Sequence, residues 1–405
     1  MNRWVRTMAR LSARGLLVIA VAALAACTAP AQPRSTASTP ASSAPKTNPV
    51  TPPAKIEQPP PPAPVPAPVR AAPTRPTPAH LWPFTKVGGI DWVKVDDVAA
   101  HYKLKTAWSK PLERTLSDSR GVRFRFESNQ RDCYLDGIRV FLGRPVLLHQ
   151  ATLWVSKLDV IKTIAPLLRP EDHLQHLPAT PPKIIVLDAG HGGNDPGKQN
   201  LKLKLNEKDM ALDVVLRLRK SLELRGFTVL LTRSTDTRLA DGQAADLQAR
   251  AAFANAAKAD LFLCVHFNAV EAKDAARVTG TETYVLTPQF QWSSSDNSGD
   301  PLASVAFPGN KHDIANSILG FRLHQQLLGE LKTSDRGYKR ARWAVLRFIE
   351  CPAGYIEAAY LSNDAEAARV GTAEFRQRIA EGIAAGVQDY AATLAALRPA
   401  PTPAK

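Results

Sequence analysis

Cysteine is scarce in this sequence, with four in 405 residues. Cys133, Cys264 and Cys351 have no spacing that would build a disulfide framework or a thiolate metal site, and three thiols cannot all pair. A disulfide-stapled fold is thereby excluded, and Cys264, inside an apolar run, is expected to be a small buried hydrophobe. Long apolar runs are also missing: the stretch from Leu16 to Ala26 is too short to cross a bilayer comfortably. There is no C-x-x-C finger pair and no strand motif interleaving aromatic with basic residues. Basic charge is then the sole pointer to nucleic acid, and no nucleic-acid role is expected. The formal net charge of +15 suits an acidic lipid surface or an acidic wall polymer, and it serves solubility equally well.

What is present starts with Arg3, Arg6, Arg10 and Arg14 ahead of that short apolar run. This is the pattern of a signal peptide, a basic segment followed by an apolar one. The run ends in Leu24-Ala25-Ala26-Cys27, which resembles a bacterial lipobox. Residues 1–27 are therefore expected to be a lipoprotein signal peptide, with Cys27 acylated. The alternative is an ordinary secretory signal in which Cys27 is incidental. Thr28, where an aspartate would favour retention in the inner membrane, implies a periplasmic protein anchored by lipid to the outer membrane.

The 33 prolines gather between residues 30 and 83 and at the C-terminal end. Residues 28–81, rich in Pro, Ala, Ser and Thr, cannot bury a core and are expected to form a disordered, extended tether. About fifty such residues reach on the order of 150 Å at about 3.1 Å each. Residues 398–405 are expected to be a disordered tail.

Residues 82–175 show short alternating stretches such as GVRFRFES and RDCYLDGIRVFLG, with helical segments around them. They predict a small α+β accessory domain. The alternation resembles the copper-amine-oxidase-type N-terminal domain of cell-wall proteins. Residues 176–182 read as a linker.

From 183 to 397 the rhythm is strand, helix, strand, helix. KIIVL, TVLLT, DLFLCVHF, TETYVL and AGYIEAAYL are apolar strands, and Met210, Val214, Leu218 and Leu222 mark one helix face. Near-continuous apolar strands alternating with helices predict an α/β fold. Its sheet should be mostly parallel and twisted, with helices on both faces.

Ligands of such sheets bind beyond the carboxyl ends of the strands. His191 follows the first strand, in the glycine-rich turn DAGHGG, and His266 ends DLFLCVHF. Glu357 interrupts an apolar strand, and Glu207 opens the helix after the glycine loop. A buried carboxylate is costly unless it is used. Together the four residues supply two imidazoles and a carboxylate for one metal ion, with a second carboxylate beside it, which matches a known catalytic zinc set. In that arrangement Glu357 is not a ligand but the group that moves the proton. Asp188 and Asn268 are candidates for orienting the histidines by hydrogen bonds.

IIVLDAGHGGNDPG, NEKD, TRSTDTRL, ARAAFANAAKADLFLCVHFNA, GTETYVL, GYKRARWAVLR and CPAGYIEAAYLSN occur in one order. In order and spacing the set resembles the zinc-dependent N-acetylmuramoyl-L-alanine amidases of the amidase-3 type. The resemblance implies Zn2+, one per catalytic domain, held by His191, Glu207 and His266, with Glu357 as the catalytic glutamate. It implies peptidoglycan as substrate, cut between N-acetylmuramic acid and L-alanine during wall remodelling or daughter-cell separation. Arg347 matches a recurring arginine, expected to contact substrate carboxylates.

Two features depart from the usual pattern. The last motif reads Tyr355-Ile356-Glu357-Ala358-Ala359-Tyr360, where a glycine and a phenylalanine are common after the glutamate. The polar loop from Thr287 to Lys311 follows a strand after which some family members carry a helix that plugs the site until an activator protein removes it. Here the loop is expected to be a mobile rim or lid. Two alternatives stand beside the amidase: an inactive cell-wall binding or regulatory protein on the same fold, and a zinc peptidase acting on stem peptides.

Overall fold

In the computed structural model the described residues are 82–296 and 299–398. The expected signal peptide with Cys27 (1–27), the tether (28–81) and residues 399–405 of the tail lie outside them.

The described chain opens with β1 (Thr85–Val87), β2 (Ile90–Lys94) and α1 (Val95–His101). A meander follows: β3 (Lys105–Lys110), β4 (Glu113–Asp118), β5 (Gly121–Glu127), β6 (Asp132–Leu135) and β7 (Ile138–Phe141). Next come β8 (Leu147–His149), β9 (Thr152–Ser156), α2 (Lys157–Asp159), a π-helical turn (Val160–Ile164) and α3 (Ala165–Leu168). The C-terminal part begins with β10 (Ile184–Ala189), a short hairpin of β11 (Gln199–Asn200) and β12 (Leu205–Asn206), and α4 (Glu207–Leu224). It continues with β13 (Thr228–Leu231), α5 (Gln243–Ala256), β14 (Leu261–Asn268), α6 (Ala272–Ala275) and β15 (Thr281–Leu286). It closes with α7 (Asp313–Leu331), β16 (Asp335–Ala341), α8 (Ala344–Arg347), β17 (Ala353–Tyr360), α9 (Asp364–Val370) and α10 (Ala373–Leu397).

Among the described residues, the largest sheet has the order β13-β10-β14-β17-β15-β16-β7-β6-β5-β4-β3. Strands β13, β10, β14 and β17 are parallel neighbours, β15 runs antiparallel to β17, and β16 is parallel to β15. The expected α/β class, mostly parallel in its C-terminal part and covered on both faces, is what the chain adopts.

Alternation along each strand assigns its side chains to the two faces. Ile185 and Leu187 of β10 and Leu263 and Val265 of β14 share a core with α4, α7 and α10. The residues between them, Val186 and Cys264, share a second core with α5 and α8. Each fully buried Val, Leu or Ile contributes roughly 1.5–3 kcal/mol. The strand ends are thus firm supports for the polar residues that follow.

Strand β16 has the sequence DRGYKRA, with no apolar pattern that predicts a strand. It forms one because its polar side chains find partners inside the protein. Tyr338 and Arg340 are buried, and Lys339 Nζ donates to Glu282 at 2.8 Å. Tyr338 also pairs with Val140 of β7, which carries the sheet into the meander. Val285, Phe321 and Tyr338 enter the core formed by residues of the meander and α1.

Described residues of the loop from Thr287 to Lys311 hydrogen-bond to this junction. Arg342 Nη2 donates to the carbonyls of Pro288 and Gln291, each at 2.8 Å, and Arg131 Nη2 to that of Ser293 at 3.0 Å. Gln291 Nε2 donates at 2.9 Å to the buried Asp159, which also accepts from Ser156 Oγ at 2.6 Å. Gln291 and Ser293, polar in the sequence, are buried by this docking. None of its described residues lines the cavity that holds His191 and His266; where a mobile rim or lid was expected, those residues hydrogen-bond to the junction.

Candidate metal site

β10 delivers the chain to Gly190 and His191. His191 has φ 61°, a left-handed conformation that is uncommon without glycine. It is held there by Arg250, whose Nη2 donates to the His191 carbonyl at 2.7 Å. The turn then reverses through paired backbone hydrogen bonds between Gly192 and Asp195, 3.1 and 3.0 Å. This reversal brings Asp195 Oδ2 to 3.0 Å from His191 Nδ1. A proton on Nδ1 shared with Asp195 leaves the Nε2 lone pair facing inward, the usual way an outer carboxylate fixes a ligand histidine.

Glu207 is the first residue of α4, where the helix dipole favours a carboxylate. Its Oε1 lies 3.1 Å from His191 Nε2 and 2.8 Å from His266 Nδ1. The backbone N–H of Phe267 donates to Oε1 at 3.1 Å, and that of Lys198 to Oε2 at 2.8 Å. His266, near the end of β14, stacks on Tyr355 with ring centroids 4.4 Å apart. Tyr355 in turn meets Trp343 at 4.1 Å.

The bareness of the glycine loop has a steric cause. A β-carbon at Gly190 would lie 2.2 Å from His266 Cε1. One at Gly197 would lie 2.6 Å from His191 Cδ2 and 2.7 Å from Glu207 Oε2. Both positions must lack a side chain for the three polar groups to converge.

Glu357 stands opposite His266 in the β14–β17 register. Only 7% of it is exposed, and its Oε2 has no hydrogen-bond partner. His191, Glu207, His266 and Glu357 open into one cavity of about 560 Å³.

Charge is distributed unevenly across the site. Burial pushes the Glu357 carboxyl well above its ordinary value, and the nearby Glu207 and Glu282 carboxylates add to that shift against Lys339 and Tyr355. Burial acts the same way on Glu207, but the two imidazoles outweigh it and hold it below the usual range. Burial would lower His191, yet Glu207 and Asp195 keep it above its ordinary value. In His266 burial prevails over Glu207, and its value falls. A neutral imidazole and an ionised carboxylate are the forms that ligate a cation.

The remaining sequence candidates make no hydrogen bond to the ligand cluster, although Asp188 and Asn268 line the same cavity. Asp188 hydrogen-bonds to neither histidine: it accepts from Thr232 Oγ1 at 2.5 Å, Arg250 Nη1 at 2.8 Å and Cys264 Sγ at 2.9 Å. It acts on His191 at one remove, by fixing Arg250. Asn268 donates to Glu282 at 2.9 Å and to the Tyr360 hydroxyl at 3.2 Å. Arg347 is not on the cavity wall; its guanidinium packs against Phe307 and Phe348 at 5.3 and 5.5 Å. Cys133, Cys264 and Cys351 are free and buried.

Asp195 and Glu282 were not singled out from the sequence as site residues. Asp195 sits four positions after His191, and Glu282 is an acid inside the strand TETYVL. That second signal is the one that marked Glu357.

The donor atoms of His191, Glu207 and His266 lie within 4.8 Å of one another. Two imidazoles and a carboxylate, with glycines clearing the space around them, fit a single divalent cation. An α/β sheet with such a cluster beyond its carboxyl ends defines the class: a candidate single-metal site on an open α/β scaffold. Residues 185–389 match the amidase-3 family, described as N-acetylmuramoyl-L-alanine amidase, and the chain belongs to that family.

Relatives agree in extent. N-acetylmuramoyl-L-alanine amidase AmiC of Neisseria meningitidis is 31% identical over 228 residues, covering 51% of this chain and 52% of that protein. The uncharacterized protein YqiI of Bacillus subtilis is 32% identical over 208 residues, covering 51% of this chain and 84% of that one. The catalytic domain of CwlV, an N-acetylmuramoyl-L-alanine amidase from Bacillus (Paenibacillus) polymyxa, is a solved structure with 29% identity. It covers 51% of this chain and 97% of that chain, with a TM-score of 0.41. The chain spans about half the length of the AmiC proteins it matches. The family match begins at residue 185, so the resemblance of residues 82–175 to a copper-amine-oxidase-type domain gains nothing from it.

Proposed function

We propose that this chain hydrolyses the amide between N-acetylmuramic acid and L-alanine in peptidoglycan, with zinc held by His191, Glu207 and His266. Family membership supports the reaction class. The observation that carries the reaction onto these residues is Glu357, a buried carboxyl with an unpaired oxygen beside the His–Glu–His cluster.

Zinc bound there would polarise the amide carbonyl and acidify water. Glu357 takes a proton from water as the new C–O bond forms, and returns it to the alanine nitrogen as the C–N bond breaks. The products are a lactyl carboxylate on the glycan and a free amine on the stem peptide. A carboxylate with one oxygen free of hydrogen-bond partners can accept the proton and release it again. Asp195 holds the His191 tautomer, and Tyr355 holds the plane of the His266 ring. Trp343 and Tyr355 add aromatic surface to the cavity lining.

For delivery, we propose that a lipid on Cys27 anchors the chain to the periplasmic face of the outer membrane and that the Pro-rich segment lets the catalytic part reach the wall. An activator protein, if one acts, would not need to lift the 287–311 loop, whose described residues lie off the cavity.

Mass spectrometry of purified sacculi digested with the chain tests the reaction. Intact glycan with free stem peptides beginning at alanine is the expected result. Stems cut internally would make it a peptidase, and no release at all would make it a binding or regulatory protein.

A further inference from the structure

Resting on that amidase reading, we propose that Lys198 binds the carboxylate of the stem residue next to alanine and sets a preference for stems in which it is free. Lys198 lies on the cavity wall. Its backbone N–H donates to Glu207 Oε2 at 2.8 Å, which pins the root of the β11–β12 hairpin to the ligand cluster. The residue is half-buried, and its side chain has no hydrogen-bonded or ion-paired partner among the described residues.

The other cation on the wall is already committed. Arg250 Nε donates to Asp246 at 2.8 Å, its Nη1 to Asp188 and the Ala189 carbonyl at 2.8 Å, and its Nη2 to the His191 carbonyl at 2.7 Å. Arg347 does not line the cavity. Among the described lining residues, Lys198 is therefore the cation left to meet an incoming anion.

Trp343, Tyr355 and Val345 also line the cavity, and none of them is a cation. Aromatic surface and one uncommitted cation on the same lining would orient a substrate, its less polar sugar face against the rings and its acidic peptide toward Lys198. Consecutive α-carbons are about 3.8 Å apart, so a carboxylate on the residue after alanine stays close to the reacting centre. An ammonium meeting it in this cavity gains a charge-assisted hydrogen bond that an amide in place of the carboxylate cannot match.

The test uses the full chain and two muramoyl-peptide fragments that differ only in whether that carboxylate is free or amidated. Wild type should show a KM about tenfold lower for the free form, a difference of about 1.4 kcal/mol. Lys198→Ala should raise that KM to the level of the amidated fragment, while Lys198→Arg keeps the preference. Equal KM values in wild type, or a preference that survives Lys198→Ala, overturns the assignment and leaves the amidase reading intact. Release of no stem peptide from either fragment overturns both.

Discussion

Glu357 and Glu282 face each other in register across the antiparallel strands β17 and β15, and the fold treats their carboxylates in opposite ways. Glu282 accepts hydrogen bonds from Asn268, Tyr284, Arg336, Lys339 and Tyr360 at 2.6 to 3.0 Å. Glu357 keeps an oxygen with no partner. One is fixed as an anion in a net of donors. The other is left free to gain and lose a proton.

Glu357→Gln separates function from stability. A carboxyl raised above its ordinary value by folding favours the folded state at low pH, and that contribution is lost as pH rises through and beyond the usual carboxylate range. Glutamine does not ionise. The variant should therefore melt at the same or a higher temperature than wild type at pH 7 in chelator. Its amide hydrolysis should fall by about a hundredfold or more. Melting well below wild type, or near-normal hydrolysis, would count against a proton-transfer role.

Glu282→Gln should behave in the reverse sense. Although burial opposes it, Lys339 and the other donors bring Glu282 down from 4.5 to about 2. Its stabilisation is complete above the ordinary carboxylate value and is lost as pH falls toward about 2. At pH 7 the variant should lose about 3 kcal/mol in urea unfolding, and its stability should change less than wild type's between pH 5 and 2.5. Equal acid sensitivity in the two proteins would show that Glu282 is not held as described.

Removing residues 82–175 should unfold the remainder. Val285, Phe321 and Tyr338 share a core with that segment, and Tyr338 pairs with Val140. A fragment starting at residue 183 exposes these apolar faces and the β16 edge, and should be recovered aggregated or without a cooperative melting transition. A soluble fragment melting as the full chain does would mean that the junction contributes little.

Much of this was legible in the sequence. The apolar strands of the C-terminal part, their helices and the four polar residues at the strand ends follow from periodicity and from the cost of burying charge. Strand β16 was not legible, because its polar residues are paid for by distant partners such as Glu282. Nor was the docking of the 287–311 loop: Ser, Gln and Asp look solvated until Arg131, Arg342 and Asp159 are brought against them by the fold. Tyr360 shows what context adds. Its place in the final motif looked like a departure, and its hydroxyl supplies one of the five donors to Glu282.

The central claim is that His191, Glu207 and His266 form one metal centre that Glu357 serves without ligating it. Elemental analysis of the full chain alongside hydrolysis of sacculi tests it most directly. Wild type and Glu357→Gln should each retain one zinc per chain, with only wild type active and its activity lost to chelator. His191→Ala should retain none, nor should Gly190→Ala, in which a β-carbon 2.2 Å from His266 Cε1 displaces the ring. One zinc per chain in His191→Ala, or hydrolysis by chelator-treated wild type, would contradict the account.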